Sequence, residues 1–284
     1  HKKFIIKLTK LVTEKIPIII TQPIGEAPKG YQFLDIWPYQ LHITVSGPEE
    51  QVKKLKTRGL KLTFNLSDIS KAQLDDIREN DSKLEKDTVS YYVPNHWKQI
   101  SLPVLSETPI EINDPNAKYL RIDFLRSELL PIKNPIPVSL FFPPQYASLM
   151  NVQKIHIIPS PLIQVKYGLN MIAKPLYASG VSELFLEIMR DMMEIVIITT
   201  PKQLDWTTQF INHRSLEDRY VSTLMSDVSD AEIRDLQPRV REEYLRNRFR
   251  NYMNHFKLYV KDKTPLNFNL ELQGNSITVT EKDS

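Results

Sequence analysis

The six histidines are the residues best suited to metal binding or proton transfer, and their spacing limits what they could do. They are His1, His42, His96, His156, His213 and His255. No two stand four residues apart, the spacing that would place two metal ligands on one face of a helix. His42 alternates with Leu41 and Ile43, so we expect its side chain on the exposed face of a strand.

Two of these histidines belong to a motif that occurs twice, NHWK at 95–98 and NHFK at 254–257. A repeated histidine would suit a metal ligand or a pH-sensing group. The asparagine before each histidine instead favours a turn held by local side-chain-to-backbone hydrogen bonds. We expect this structural role for His96 and His255.

The acidic pairs are adjacent in sequence: Glu49 and Glu50, Asp75 and Asp76, Glu242 and Glu243. Neighbours on a helix point about 100° apart, so these carboxylates should lie on solvated faces and not converge on one ion. Neither GxSxG nor HExxH occurs, and the chain has no cysteine. We therefore expect no enzymatic activity, no metal and no cofactor.

Composition narrows the class of protein. Only 7 glycines accompany 20 prolines, which argues against glycine-rich phosphate loops and fits a β protein with defined strand ends. The net charge of +3 neither requires nor excludes an anionic partner. The absence of cysteine suits an exported protein, and no run of 18 apolar residues occurs.

The most function-like feature is an arginine-rich stretch, RVREEYLRNRFRNYMNHF at 239–256. Its apolar residues recur at helical spacing, which predicts a helix packed on a core. The arginines on the other faces are predicted to contact a partner or an anionic membrane surface. They are Arg239, Arg241, Arg246, Arg248 and Arg250.

Strand patterns dominate the first half and recur in order in the second. IWPYQLHITVSG at 36–47 is echoed by IIPSPLIQVKYG at 157–168, and 180–200 answers 47–67. The polar stretch 67–88 is predicted to be an exposed, helix-prone insertion. The sequence thus predicts a mainly β, α+β fold of two tandem domains, 1–127 and 128–284, with a long helical insertion at about 203–253 in the second.

The repeated unit resembles the YbbR domain. The resemblance rests on an "IPI" strand, a "GY" pair, a Pro-x-x-Leu-x-Ile-x-Val-x-Gly strand and a short helix with "V-x-x-L". The "IPI" strand lies at 16–18 and again at 136–138, and the "GY" pair at 30–31. The longer strand motif lies at 38–47 and the helix motif at 52–55. YbbR proteins are tandem, mostly β modules held outside the bacterial membrane by one N-terminal helix. The best-known members regulate the membrane-bound diadenylate cyclase that makes cyclic di-AMP, and they carry no known catalytic residues.

The resemblance therefore implies a non-enzymatic, extracytoplasmic regulator whose partner is a membrane diadenylate cyclase and whose transmembrane anchor precedes His1. The alternative is a nucleic-acid-binding module, since the YbbR fold is thought to resemble a ribosomal 5S-RNA-binding β domain. Strand faces with aromatics interleaved among Lys and Arg, which RNA binding favours, are not evident. An enzyme of another type would require a cleft that gathers acids or bases.

Overall fold

The computed structural model describes residues 5–227, 229 and 235–283, and it confirms the predicted mainly β, α+β fold. The chain forms two compact units. The first comprises the described residues up to 81 together with 86–126, and the second comprises 82–85 and the described residues from 127 onward. The predicted division, 1–127 and 128–284, differs from this partition by one residue at the boundary and by the segment 82–85.

The first unit contains eight strands and two α-helices among its described residues. The strands are β1 (Leu11–Ile20), β2 (Tyr31–Trp37), β3 (Gln40–Pro48), β4 (Leu60–Leu62), β5 (Thr88–Tyr92), β6 (Gln99–Ile100), β7 (Ile110–Glu111) and β8 (Arg121–Arg126). The helices are α1 (Glu49–Arg58) and α2 (Lys71–Glu79), with 3-10 turns at Leu66–Asp68, Asn95–Trp97 and Pro115–Tyr119. The sheets have the strand orders β3-β1-β4, β2-β8-β5 and β6-β7.

Alternation of apolar residues builds the core of the first unit. Ile16 and Ile18 in β1 and Leu41 and Ile43 in β3 are fully buried at every second position, because successive side chains of a strand point to opposite faces. Helix α1 buries Val52 in the same core. This bears out the strands expected at the motifs 16–18 and 38–47 and the short helix expected around 52–55.

Helix α2 corrects the interpretation of 67–88 as an exposed insertion. Leu74 is fully buried in the core of the first unit, and Ile77 packs against that core. The helix begins with a capping box between Ser70 and Gln73, which satisfies the first backbone N–H groups. Most residues of α2 are polar, so the sequence did not indicate that one face of the helix packs on the core.

A buried tyrosine fixes α2 to β2. The Tyr31 hydroxyl donates to Asp75 Oδ1 at 2.6 Å, and Lys71 donates to Asp75 Oδ2 at 2.7 Å. Burial, together with the bonded Asp75 carboxylate, raises the pKa of Tyr31 to about 12. The folded state therefore holds this proton more tightly than the unfolded chain does.

This shift predicts an alkaline loss of stability. Because the folded pKa of Tyr31 is the higher one, its contribution is complete below the usual tyrosine pKa of about 10 and is lost as the pH rises towards 12. Tyr31→Phe should weaken the fall in the free energy of unfolding over this range, measured by urea denaturation. Tyr146→Phe, at an exposed tyrosine, is the control. Equal pH slopes for the two variants would contradict the assignment.

The second unit contains twelve strands and four α-helices among its described residues. Its strands are β9 (Leu130–Ile132), β10 (Val138–Phe141), β11 (His156–Ile157), β12 (Ile163–Lys166), β13 (Leu169–Ile172), β14 (Leu176–Ser179), β15 (Met193–Thr199), β16 (Leu204–Phe210), β17 (Lys257–Lys261), β18 (Thr264–Pro265), β19 (Phe268–Gln273) and β20 (Ser276–Glu281). Its helices are α3 (Pro144–Ala147), α4 (Glu183–Met189), α5 (His213–Met225) and α6 (Pro238–His255). The sheets have the orders β10-β15-β16, β18-β17-β14-β9, β11-β20-β19 and β12-β13.

Both units contain the same strand–helix–strand arrangement. In the first, β1 pairs antiparallel with β3 and, further along, parallel with β4, and α1 links β3 to β4. In the second, β9 pairs antiparallel with β14, β10 pairs parallel with β15, and α4 links β14 to β15. Residues 133–137 thus interrupt in the second unit the strand that is continuous as β1 in the first.

This pairing corrects the predicted match between 157–168 and 36–47. The strand that corresponds to β3 is β14, which is followed by Gly180 and then by a helix. Residues 163–172 form the β12–β13 hairpin instead, for which the described part of the first unit has no equivalent. The two stretches share only an alternation of apolar and polar residues, which many strands carry.

The predicted helical insertion at 203–253 is partly wrong. Its first part is β16, paired antiparallel with β15 over seven residue pairs, and α5 and most of α6 follow. Residues 228 and 230–234 of this stretch lie outside the described residues. Aromatic rings of α4, α5 and α6 form the core here. The ring centroid of Phe185 lies 5.2 Å from the centroids of both Phe249 and Tyr252.

Candidate functional site

The structure divides the five predicted arginines of α6 between interior and surface. Arg241 and Arg248 are buried, so the prediction that they meet a partner or a membrane is wrong for these two. Their positions on the helix point towards α5 and the core and not towards solvent. Arg239 and Arg250 are exposed and Arg246 is half-buried.

Arg248 belongs to a buried polar cluster centred on Glu85. Its Nη1 donates to Glu85 Oε1 at 3.0 Å, and Tyr252 donates to the same oxygen at 2.9 Å. The hydroxyls of Tyr220 and Ser182 donate to Glu85 Oε2 at 2.6 and 3.0 Å. This carboxylate therefore draws α4, α5 and α6 together around the segment 82–85.

The cluster is closed and serves packing. Burial, and then the nearby Glu85 carboxylate, raise the pKa of Tyr220 well above its usual value, so its hydroxyl stays a donor. The cavity beside Glu85, Arg241 and Arg248 measures about 10 Å³. A space of that size holds at most one water molecule, so we assign the cluster a structural role.

The remaining arginine contacts lie within the helical pair. Arg241 Nη2 donates to the carbonyls of Leu224 and Asp227 at 2.7 and 2.8 Å, which satisfies backbone acceptors at the C-terminal end of α5. Arg246 pairs with Asp218 and Glu242, each at 2.8 Å, and Arg250 pairs with Glu217 at 3.1 Å. The hydrogen bonds to these carboxylates raise the pKa of Arg246. Acidic side chains thus neutralise much of the predicted basic surface.

The histidines do not form a site within the part of the chain that the structure describes. There, no three or more His, Asp or Glu side chains gather as metal ligands would. His96 lies in the 3-10 turn before β6, whereas His255 ends α6 and bonds the Asn251 carbonyl at 2.7 Å. His42 lies on β3, half-exposed as its alternation indicated, with its ring 3.8 Å from Asp114.

A groove along the edge strand β16 is the best candidate for a binding site. Residues 206–210 form one wall, and residues 253–258 from the end of α6 and the start of β17, together with Leu266, form the other. The groove encloses about 660 Å³, within the range of ligand and peptide sites. Besides aromatic and aliphatic side chains it contains His213 and Lys257, and no acidic residue lines it.

The outer edge of β16 directs towards this groove backbone groups that bond to no other described strand, although the Thr208 carbonyl accepts from Thr207 Oγ1 at 3.4 Å. The N–H of Ile211 donates to Met192, and that of Thr200 to Gln203, which fixes the alternation of the β15–β16 ladder. Residues 205, 207 and 209 therefore bond to β15, and residues 204, 206, 208 and 210 direct their backbone groups outward. Among the described strands none pairs with this edge.

The outer edge of β3, in the first unit, is by contrast blocked by side chains. On β3, the N–H of His42 donates to Asp114 Oδ2 and that of Thr44 to Asn113 Oδ1, each at 2.9 Å. The Asn113 amide in turn donates to the Thr44 carbonyl at 3.0 Å. These side chains occupy the positions at which an added strand would bond, so only the edge of β16 offers an open ladder of the two.

Two of these features escaped the sequence. The alternation of Leu204, Trp206, Thr208 and Phe210 signals a strand, but the assumption of a helical insertion masked it. Glu85 stands in a polar stretch with no periodic pattern, and no local signal distinguishes it from its exposed neighbours.

No protein-family model matches the chain, and comparisons with curated proteins and with solved structures find no similar protein. Along the described residues, no helix combines the length and the apolar character that crossing a membrane requires.

Proposed function

We propose that this protein is a non-enzymatic interaction module of YbbR type that acts outside the membrane and regulates a membrane diadenylate cyclase. The resemblance in sequence supports the choice of partner. The shared strand–helix–strand arrangement of the two units supports the duplication on which that resemblance relies. The observation that carries the docking mode is the open edge of β16 beside its groove.

Docking takes place by strand addition. An extended segment of the partner pairs with the outward backbone groups of Trp206, Thr208 and Phe210, and main-chain hydrogen bonds supply the affinity. Apolar side chains of that segment contact the aromatic wall. His213 and Lys257 favour a carboxylate on it, since no acid lines the groove.

Regulation follows from preferential binding. A partner is activated or inhibited only if the module binds one of its conformations more tightly than the other. Strand addition meets this condition when the partner's segment is extended in one conformation alone.

Thr208→Pro is expected to abolish docking and, with it, the change in cyclic di-AMP synthesis. Proline removes the outward N–H of residue 208, whereas the ladder bonds to β15 involve its neighbours and remain. Thr208→Ala keeps the N–H and is the matched control. The measurement is cyclic di-AMP output of the cyclase reconstituted in vesicles with each variant.

The two parts of the proposal fail separately. If wild-type protein leaves cyclase output unchanged and does not bind the cyclase, the choice of partner is wrong. If it binds and regulates, but Thr208→Pro does so equally well with native circular dichroism, docking by strand addition at β16 is wrong.

A further inference from the structure

The β12–β13 hairpin ends in an apolar tip that projects from the second unit. Tyr167 is 98% exposed, and Val165 and Leu169 are 55% and 54% exposed. A Cβ added at Gly168 would meet no atom within 4 Å, so nothing from the described residues covers this end of the hairpin. Large apolar side chains are rarely gathered at a free tip without a function.

Both faces of the tip carry an exposed apolar side chain. Lys166 and Leu169 are directly paired and share one face, while Val165 pairs with Asn170 and faces the other way. Tyr167 and Gly168 form the two-residue turn, both with positive φ, 52° and 75°, as in the type I′ turns of tight hairpins. Tyrosine is unusual at such a position, and there it extends the apolar surface beyond the strands.

Lysines accompany the tip: Lys166 directly precedes the turn, and Lys174 follows the end of β13. Lys133, Lys166 and Lys174 line a groove of about 270 Å³ along one side of the hairpin, and no acidic residue lines that groove. Lys174 also pairs with Glu281, whereas Lys133 and Lys166 form no ion pair with the carboxylates of the described residues.

We propose that this hairpin inserts its tip into the surface of an anionic lipid membrane. The arrangement matches the layers of that surface: the tyrosine and aliphatic side chains reach the boundary of the acyl chains, and the lysines stay at the depth of the headgroup phosphates. A tip with an apolar side chain on each face and Tyr167 at its end suits end-on entry into a fluid layer better than docking onto one face of a protein. The contact is independent of cyclase docking at β16.

Vesicle binding of the chain without any anchor tests this. Wild-type protein should bind vesicles of phosphatidylcholine with about 30% phosphatidylglycerol, and about tenfold less tightly to phosphatidylcholine alone. Tyr167→Ser with Leu169→Ser should weaken binding to the anionic vesicles about tenfold or more. Lys133→Gln with Lys166→Gln should weaken it about tenfold and reduce its dependence on salt.

Matched controls and a second readout keep the test decisive. Tyr146→Ser with Leu149→Ser removes two other exposed apolar side chains of the same unit and should leave binding unchanged. Because the chain has no cysteine, Tyr167→Cys and Leu149→Cys can each carry one environment-sensitive fluorophore. Only the label at 167 should shift to the blue on anionic vesicles.

Three results would overturn the proposal. These are no binding of wild-type protein to anionic vesicles, equal binding by the folded Tyr167→Ser, Leu169→Ser variant, and equal fluorophore shifts at 167 and 149. Loss of cyclase regulation by the hairpin variant with unchanged vesicle binding would assign the tip to a protein partner instead.

Discussion

Glu85→Ala is expected to lower the free energy of unfolding by about 3–5 kcal/mol. The substitution removes the carboxylate that the buried guanidinium of Arg248 binds, and with it the acceptor shared by Tyr220, Tyr252 and Ser182. Urea denaturation of the whole chain measures the loss. Hydrogen exchange should show that it falls mainly on α5 and α6.

A double-mutant cycle separates the ion pair from the hydroxyl bonds. Glu85→Gln keeps an acceptor but removes the negative charge beside Arg248, and Arg248→Met removes the positive charge beside Glu85. The double variant carries neither charge, so it should be less destabilised than the sum of the two single variants by about 1–3 kcal/mol. Additive effects would show that the buried pair is not coupled.

Gly180→Ala is expected to destabilise the protein by about 3 kcal/mol or more. Gly180 has a φ of 78°, and an added Cβ would lie 2.2 Å from the backbone oxygen of His255. The clash is with main chain where α6 passes into β17, beside β14, so no side chain can move aside to relieve it. Thermal or urea denaturation of the folded variant gives the magnitude.

Gly168→Ala is the matched control for Gly180. Its φ of 75° is nearly the same, but nothing lies within 4 Å of an added Cβ. Only the left-handed backbone penalty of about 1–2 kcal/mol then applies. If both variants lose the same stability, the close approach to His255 does not contribute to the loss. The positive φ alone would then account for glycine at position 180.

The correspondence of Gly47 and Gly180 shows how far the repeats could be read from sequence. The alignment of 180–200 with 47–67 correctly paired these two glycines, each of which precedes a helix, but β3 itself was matched with 157–168 instead of with β14. The reasons for glycine differ, however. At Gly47 a Cβ would approach a side-chain atom of Leu105 at 2.5 Å, with no positive φ, whereas at Gly180 it would meet main chain. The sequence showed that glycine recurs at this position, but not which neighbouring atoms exclude a larger residue there.

The arginines of α6 show the corresponding limit for sites. The helical spacing of its apolar residues predicted the helix and its packing, and this is confirmed by the burial of Tyr244, Phe249 and Tyr252. Which arginines reach solvent could not be predicted, because α6 buries a wide face. Arg241 and Arg248 lie on this buried face. There, backbone carbonyls at the end of α5 accept the hydrogen bonds of Arg241, and the Glu85 carboxylate accepts that of Arg248, in place of water.

The sequence by itself determined the α+β class, most strands of the first unit, helix α1 and the helix at 239–256, because these depend on the period of neighbouring residues. Only the tertiary structure decided that β14 corresponds to β3, that 82–85 belongs to the second unit, and which strand edge stays open. Each of these depends on atoms far apart in the chain: Glu85 and Arg248 are 163 residues apart. The periodicity of neighbouring residues contains no information about partners so distant in sequence.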